Sequence, residues 1–124
     1  MLLKRVYAKV NLDNIQKNIE KLKARLPEDT ELMGIVKANA YGHGSITVTK
    51  FLEEIGISRF GVASVDEALE LKYNGVCGSI LVLGELFKEN ALRAIANGVE
   101  CTVANLETAK NLSAVAVNSG KTAK

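Results

Sequence analysis

The chain has 124 residues, of which 48% are hydrophobic and 24% are charged, and its formal net charge is +2. This length and composition suit one ordinary globular domain, and the small charge, carried by scattered Lys and Arg, gives no support for nucleic-acid binding. No apolar run reaches the length of a membrane span, and the first residues lack the pattern of a signal peptide, so we expect a cytoplasmic protein.

The predicted elements begin with a strand over Arg5–Leu12, where apolar and polar residues alternate. A helix follows, with an apolar stripe formed by Ile15, Ile19, Leu22 and Leu26. Four continuous apolar runs then predict parallel strands buried on both faces, at Leu32–Val36, Phe60–Ala63, Ser79–Leu83 and Cys101–Ala104. Four helix-like stretches between and after these runs each end at a glycine suited to a helix terminus: Gly56, Gly75, Gly98 and Gly120. Three helix starts carry capping signals: a capping box at Ser64–Glu67, a near relative of one formed by Asp13 and Gln16, and an N-cap at Asn105.

The alternation of strands and helices predicts an α/β fold made of parallel βα units. Such units form either an open, doubly wound sheet or a closed (β/α)8 barrel, and the pattern of residues suits both. A closed barrel needs about 250 residues, so this chain would supply about half of one. The final residues, Lys121–Lys124, have the character of a strand that is cut off at its start.

The two cysteines, Cys77 and Cys101, are far apart, with no CxxC motif and no neighbouring histidines. We therefore expect them to be buried, reduced thiols rather than metal ligands or a redox pair. The sequence accordingly predicts no metal centre.

Lys37 directly follows the apolar run Leu32–Val36, so it lies at the carboxyl end of a predicted buried strand. Active sites of parallel βα folds lie at that end. A lysine that is partly shielded from water there is suited to Schiff-base chemistry with an aldehyde. A lysine that merely extends from a strand end into solvent fits the position equally well.

The loop Ala38–Gly44, which follows this lysine, consists mostly of small residues. Gly42 and Gly44 allow unusual backbone angles or a close approach to a ligand. The Tyr41 hydroxyl can donate a hydrogen bond to an anion, although packing of the ring within the loop is an alternative. His43 has no second histidine or carboxylate pair as a partner, so we interpret it as a locally hydrogen-bonded residue. The loop matches neither the P-loop nor the dinucleotide-binding motif.

The segment Val36–Gly44, with the sequence VKANAYGHG, resembles the cofactor-lysine motif of the alanine racemases without a departure. Other enzymes with the same barrel and cofactor, such as the basic amino acid decarboxylases, carry different residues after their lysine. The resemblance extends over most of the chain, through Asn11–Asp13, Phe60–Leu71 and Ile80–Gly84. It implies that residues 1–124 are the N-terminal part of a TIM-type (β/α)8 barrel domain, an incomplete barrel without the family's C-terminal β-domain.

The resemblance also implies roles for three residues. Lys37 would bind pyridoxal 5′-phosphate as an internal aldimine and act as one of two bases on the substrate Cα. Tyr41 would hydrogen-bond the cofactor phosphate, and Leu83 would pack near the cofactor ring. The reaction would interconvert L-alanine and D-alanine, which supplies D-alanine for cell-wall peptidoglycan. In this family the enzyme is a homodimer, and the second base is a tyrosine from the β-domain of the partner; Tyr7 and Tyr73 have the wrong sequence context for it.

The sequence thus predicts one catalytic base and half of a cofactor site, so we expect the isolated chain to be inactive. Its last strand would present an unpaired apolar edge, which favours association. Two alternatives remain: a non-catalytic half barrel that binds pyridoxal phosphate or oligomerises, and a racemase of another amino acid such as serine.

Overall fold

The computed structural model describes residues 6–124, which divide into two compact units, 6–30 and Glu31–Lys124. The first unit contains helix α1 (Leu12–Lys23). Its N-cap is Asn11, whose side chain accepts a hydrogen bond from the Asn14 amide at 3.2 Å, so the capping signal predicted at Asp13 is wrong and Asp13 lies within the first turn. No residue of α1 is fully buried, so its apolar stripe is only partly covered.

The strand predicted over Arg5–Leu12 is wrong for the residues that the structure describes. Residues 6–11 form no strand and α1 already begins at Leu12, while Arg5 lies outside the described residues. Alternating side chains stabilise a strand only where a neighbouring strand supplies backbone partners and one face is buried. Here Val6 and Tyr7 are 88% and 77% exposed, so the alternation buries no face.

The second unit is a four-stranded parallel sheet with helices in the connections. Its strands are β1 (Met33–Ile35), β2 (Arg59–Val62), β3 (Ser79–Val82) and β4 (Glu100–Cys101). The helical segments are α2 (Lys37–Tyr41), α3 (Ser45–Glu54), α4 (Val65–Tyr73), α5 (Lys88–Ala96) and α6 (Leu106–Ser119). The four predicted strands are therefore confirmed, although β4 is shorter and ends at Cys101.

The strands lie side by side in the order in which they occur along the chain, β1-β2-β3-β4. An open, doubly wound sheet reverses its strand order at a switch point, whereas a barrel adds each new strand on the same side. No reversal occurs among the strands of residues 6–124, so the order is that of a barrel wall. The sheet thereby distinguishes between the two architectures that the sequence left open.

One face of the sheet carries the core, where Phe60, Val62, Ile80 and Val82 are almost completely buried beneath the helices. The opposite face is only partly covered, since Ile35 and Leu83 remain 40% and 39% exposed. The prediction of strands buried on both faces is thus wrong for this second face. The inner face of a barrel is covered by side chains from strands around its whole circumference, and four strands cannot enclose it.

The predicted helix ends are confirmed at all four glycines, which have positive φ angles between 63° and 86°: Gly56, Gly75, Gly98 and Gly120. An L-residue with a side chain is strained at such angles, whereas glycine is not. The predicted N-cap Asn105 is also confirmed, because its side chain accepts a hydrogen bond from the Thr108 amide at 2.8 Å. None of the helices in residues 6–124 combines the length and hydropathy that a membrane span requires.

Candidate active site

Lys37 lies at the carboxyl edge of the sheet, as predicted. The β1–β2 ladder continues one residue beyond β1, since the Val36 amide donates to the Gly61 carbonyl at 2.9 Å. Val36 is buried, and Lys37, which follows it, is half-buried. Within residues 6–124, the Lys37 amine forms neither an ion pair nor a hydrogen bond. The amine is therefore available to a ligand at this edge.

The backbone after Lys37 makes a left-handed helical turn. Ala38, Asn39 and Ala40 have φ and ψ angles of 50° and 50°, 54° and 42°, and 52° and 45°, and Tyr41 has a φ of 53°. The left-handed conformation costs an L-residue roughly 1–2 kcal/mol, and asparagine less, so Ala38, Ala40 and Tyr41 together store about 3–6 kcal/mol. Strain of this size persists only where surrounding contacts hold it, and it is concentrated at functional sites.

Side chains from the turn and from α4 hold this turn in place. The Glu67 carboxylate accepts a hydrogen bond from the Ala38 amide at 2.9 Å. The Asn39 side-chain oxygen accepts one from the Ser45 amide at 2.9 Å, which caps the first turn of α3. Ala40 is buried, so the small residues predicted here are needed for close packing as well as for a flexible backbone.

Tyr41 and His43 differ in their contacts. Tyr41 is 62% exposed, and its hydroxyl has no hydrogen-bond partner in the described part of the chain. The alternative, in which the Tyr41 ring packs within the loop, is therefore wrong. His43 Nδ1 lies 3.0 Å from the Ala40 carbonyl oxygen, which agrees with the interpretation of His43 as locally hydrogen-bonded.

Leu83 follows β3 at the same edge of the sheet, where its amide donates to the Val62 carbonyl at 2.8 Å. Its side chain and that of Ile35 both lie close to Gly61. If Gly61 carried a side chain, its Cβ would lie 3.2 Å from Leu83 Cδ1 and 2.7 Å from Ile35 Cδ1. The half-exposed face thus has a flat apolar floor beside the strand end that carries Lys37. Lys37, Tyr41 and Leu83 lie at one edge of the sheet. Lys37 and Tyr41 follow β1, Leu83 follows β3, and β2 lies between these two strands.

Two residues of this edge were missed as site residues by sequence reasoning. The sequence predicts only a local capping box for Glu67, whereas its carboxylate also accepts a hydrogen bond from the Ala38 amide, 29 positions away. For Gly84 the sequence offers only its place in a segment that resembles the family, yet a Cβ at this position would lie 2.7 Å from the Ala63 carbonyl oxygen. No local pattern signals either contact, because the residues that meet are 29 and 21 positions apart (67−38 and 84−63).

Both cysteines are free thiols. The prediction that both are buried is wrong for Cys77, which is exposed in the turn before β3. Cys101 is half-buried at the end of β4, and this burial raises the pKa of its thiol above the ordinary value.

Comparisons of the sequence with family models and with known proteins point to the same family. Residues 10–124 match the family model described as alanine racemase, N-terminal domain. The alanine racemase of Streptococcus gordonii is 47% identical over 100 residues, which cover 81% of this chain and 27% of that protein. The enzyme of Geobacillus stearothermophilus is 45% identical over 97 residues, or 78% of this chain and 25% of that protein. The chain thus spans about a quarter to a third of the length of such relatives.

Solved structures agree with this assignment. Alanine racemase from Clostridium difficile 630, in a complex with cycloserine, superimposes with a TM-score of 0.93 at 36% identity, over 99% of this chain and 34% of that one. A histidine racemase from Leuconostoc mesenteroides gives a TM-score of 0.82 at 28% identity, over 90% of this chain and 30% of that one. The four parallel strands are the first part of a TIM-type barrel, as predicted. The chain belongs to the alanine racemase N-terminal domain family.

Proposed function

We propose that this chain supplies the cofactor-lysine part of a pyridoxal-phosphate-dependent racemase that interconverts L-alanine and D-alanine. The observation that carries the proposal is Lys37, a half-buried lysine without a protein partner in residues 6–124, at the carboxyl end of β1 and within the unbroken motif VKANAYGHG. Residues 1–124 would form the first part of the barrel domain, as the share of the relatives that they cover suggests.

The groups at this edge fit a phosphorylated aromatic aldehyde. Lys37 offers an amine, the exposed Tyr41 hydroxyl offers a donor for a phosphate oxygen, and Ile35 with Leu83 offers an apolar surface for a ring. Because Gly61 has no side chain, the space between Ile35 and Leu83 stays free for the ring; a Cβ at this position would occupy it. When bound, pyridoxal phosphate acts as an electron sink that stabilises a carbanion at the substrate Cα.

In this proposal the chain's own residues orient the cofactor and move one proton. Lys37 would hold the cofactor, and its amine would take or return the Cα proton from one side of the substrate. Tyr41 would hold the phosphate end, and Leu83 would pack against the ring. Racemisation also needs a second acid–base group on the opposite side of the substrate.

The second base would come from outside the described unit that carries Lys37. Within that unit the remaining tyrosine besides Tyr41 is Tyr73, the last residue of α4. Because α4 leads the chain back from the carboxyl edge to the amino edge of the sheet, Tyr73 lies at the edge opposite Lys37. We therefore propose that the 124 residues alone do not racemise alanine, and that a homodimer of the longer polypeptide completes the site.

Borohydride reduction in the presence of pyridoxal phosphate tests the assignment of Lys37. The reduced cofactor should add its mass to the peptide that contains Lys37, and Lys37→Arg should abolish the addition because guanidinium does not form a stable imine. Lys50→Arg, at an exposed position on α3, should leave labelling unchanged. Labelling that persists in Lys37→Arg, or that falls mainly on other lysines, would refute the assignment.

A second candidate is racemisation of a different amino acid, which the likeness to a histidine racemase favours. The site residues of this chain serve the cofactor and the shared Cα chemistry, so both candidates use Lys37 in the same way. Chiral analysis of products from L-alanine, L-serine and L-histidine, with the full-length polypeptide, distinguishes them. A preference for histidine or serine over alanine would replace the substrate that we propose.

A further inference from the structure

The Glu67 carboxylate joins the carboxyl ends of two strands. One of its oxygens, Oε1, accepts a hydrogen bond from the Ala38 amide at 2.9 Å, just beyond β1. The other, Oε2, accepts one from the Ala63 amide at 2.7 Å, just beyond β2. Both oxygens are therefore used to hold backbone groups of two different loops, with the short distances typical of charge-assisted hydrogen bonds.

These bonds are not those of an ordinary capping box. In a capping box the carboxylate three residues after the N-cap accepts a hydrogen bond from the N-cap amide, which is that of Ser64 here. The Ser64 hydroxyl does accept a hydrogen bond from the Glu67 amide at 3.3 Å, but the carboxylate binds Ala63 and Ala38 instead. Capping of α4 thus accounts for the hydrogen bond from the Glu67 amide to the Ser64 hydroxyl. It does not account for the hydrogen bond from the Ala38 amide to the Glu67 carboxylate.

The link to Ala38 acts directly on the cofactor lysine of the proposed function. The Ala38 amide belongs to the planar peptide group that joins Lys37 to Ala38. Fixing the direction of this N–H fixes the rotation about the Cα–C bond of Lys37, and with it the start of the left-handed turn. The carboxylate therefore determines how the backbone of Lys37 is oriented relative to the sheet.

Glu67 is only half-buried, so packing encloses its side chain only in part. A cavity of about 390 Å³ has Glu67 in its lining, together with Asn39, Ser45 and Glu70. With open space on one side, the two hydrogen bonds are what keep Glu67 between the loops. A side chain without a charged acceptor at this position would have room to move away.

We propose that Glu67 is a positioning residue for Lys37. It touches neither substrate nor cofactor in this proposal; it holds the Lys37–Ala38 peptide group and the strained turn in the orientation in which the amine reaches the cofactor. The inference rests on the proposed function of Lys37. It adds that a residue of α4 sets the affinity and orientation of the cofactor through the backbone.

The test compares Glu67→Gln with Glu70→Gln in the full-length polypeptide. Glu67→Gln preserves shape but replaces one acceptor oxygen by an NH2 group that cannot accept from an amide. Glu70→Gln makes the same charge change one turn later on α4, at an exposed residue that lines the same cavity. The first measurement is the pyridoxal phosphate concentration that gives half-maximal borohydride labelling of Lys37, which we expect to rise about tenfold in Glu67→Gln and less than twofold in Glu70→Gln.

Two further measurements separate positioning from general stability. Visible circular dichroism of the bound cofactor, which reports its orientation, should change in Glu67→Gln only. Amide hydrogen exchange should accelerate in peptides containing Ala38 and Ala63 while remaining unchanged in the peptide covering β3. Equal acceleration across β3 would show that Glu67 merely supports the fold, and would overturn the inference.

The outcomes also separate this inference from the proposed function. If unsubstituted protein is labelled at Lys37 and Glu67→Gln is labelled with the same concentration dependence and spectrum, the positioning role is wrong and the function stands. If unsubstituted protein is not labelled at Lys37, both are wrong.

Discussion

Gly84 offers a sharp test of how closely the loops at the carboxyl edge approach each other. A Cβ added at Gly84 would lie 2.7 Å from the carbonyl oxygen of Ala63. This oxygen belongs to the backbone at the end of β2 and cannot rotate away as a side chain would. Gly84→Ala must therefore separate the ends of β2 and β3, and it moves the adjacent Leu83.

The expected loss follows from two opposing effects. Overpacking of this kind costs about 1–3 kcal/mol, whereas replacing glycine by alanine restores about 0.4–1 kcal/mol by restricting the unfolded chain. The net decrease in the free energy of unfolding should be about 1–2 kcal/mol. For a chain of this length that corresponds to a decrease in Tm of roughly 3–8 °C.

Gly61→Ala is the matched control, because the added Cβ would also lie 2.7 Å from its nearest neighbour. That neighbour is Ile35 Cδ1, the end of a flexible side chain that is 40% exposed and can change rotamer. The decrease in unfolding free energy should therefore stay below about 0.5 kcal/mol once the entropic gain is included. Urea unfolding followed by far-ultraviolet circular dichroism measures both variants. Equal stabilities of the two variants, or a Gly84→Ala protein as stable as the unsubstituted one, would refute the argument from backbone contact.

Two further predictions concern α6 and the thiols. Asn105→Ala removes the acceptor for the Thr108 amide and should lower the free energy of unfolding by about 1 kcal/mol. The control Asn118→Ala, at an exposed position late in the same helix, should leave the free energy of unfolding unchanged or slightly higher. Equal losses for the two variants in urea unfolding would contradict the capping role. Iodoacetamide should alkylate exposed Cys77 well before half-buried Cys101, because burial covers the Cys101 sulfur and raises its pKa. The thiolate fraction of Cys101 increases as pH rises toward that raised pKa, so its alkylation rate should continue to increase above the ordinary thiol range. Peptide mass spectrometry at several pH values measures the alkylation of each cysteine. A Cys101 that reacts as fast as Cys77 would contradict the prediction.

Local physics in the sequence was enough for the succession of helices and strands. Continuous apolar runs predicted the four strands, and glycines such as Gly56 and Gly120 predicted helix ends, because positive φ angles are a property of single residues. Asn105 was predicted as an N-cap for the same reason, since its acceptor serves an amide three residues away. The position of Lys37 at the end of β1 followed from the apolar run before it, and its proposed role rests on the motif around it.

Tertiary structure decided which groups meet, and where strain is stored. Glu67 has many amides within reach of its side chain in the unfolded chain, and only the folded sheet brings the Ala38 and Ala63 amides to its two oxygens. The left-handed turn after Lys37 has no local cause, since alanine and tyrosine disfavour that conformation, and it exists because contacts from α3 and α4 hold it. Propensities and periodicities act over a few residues, whereas these contacts depend on the register of strands that are far apart in the chain.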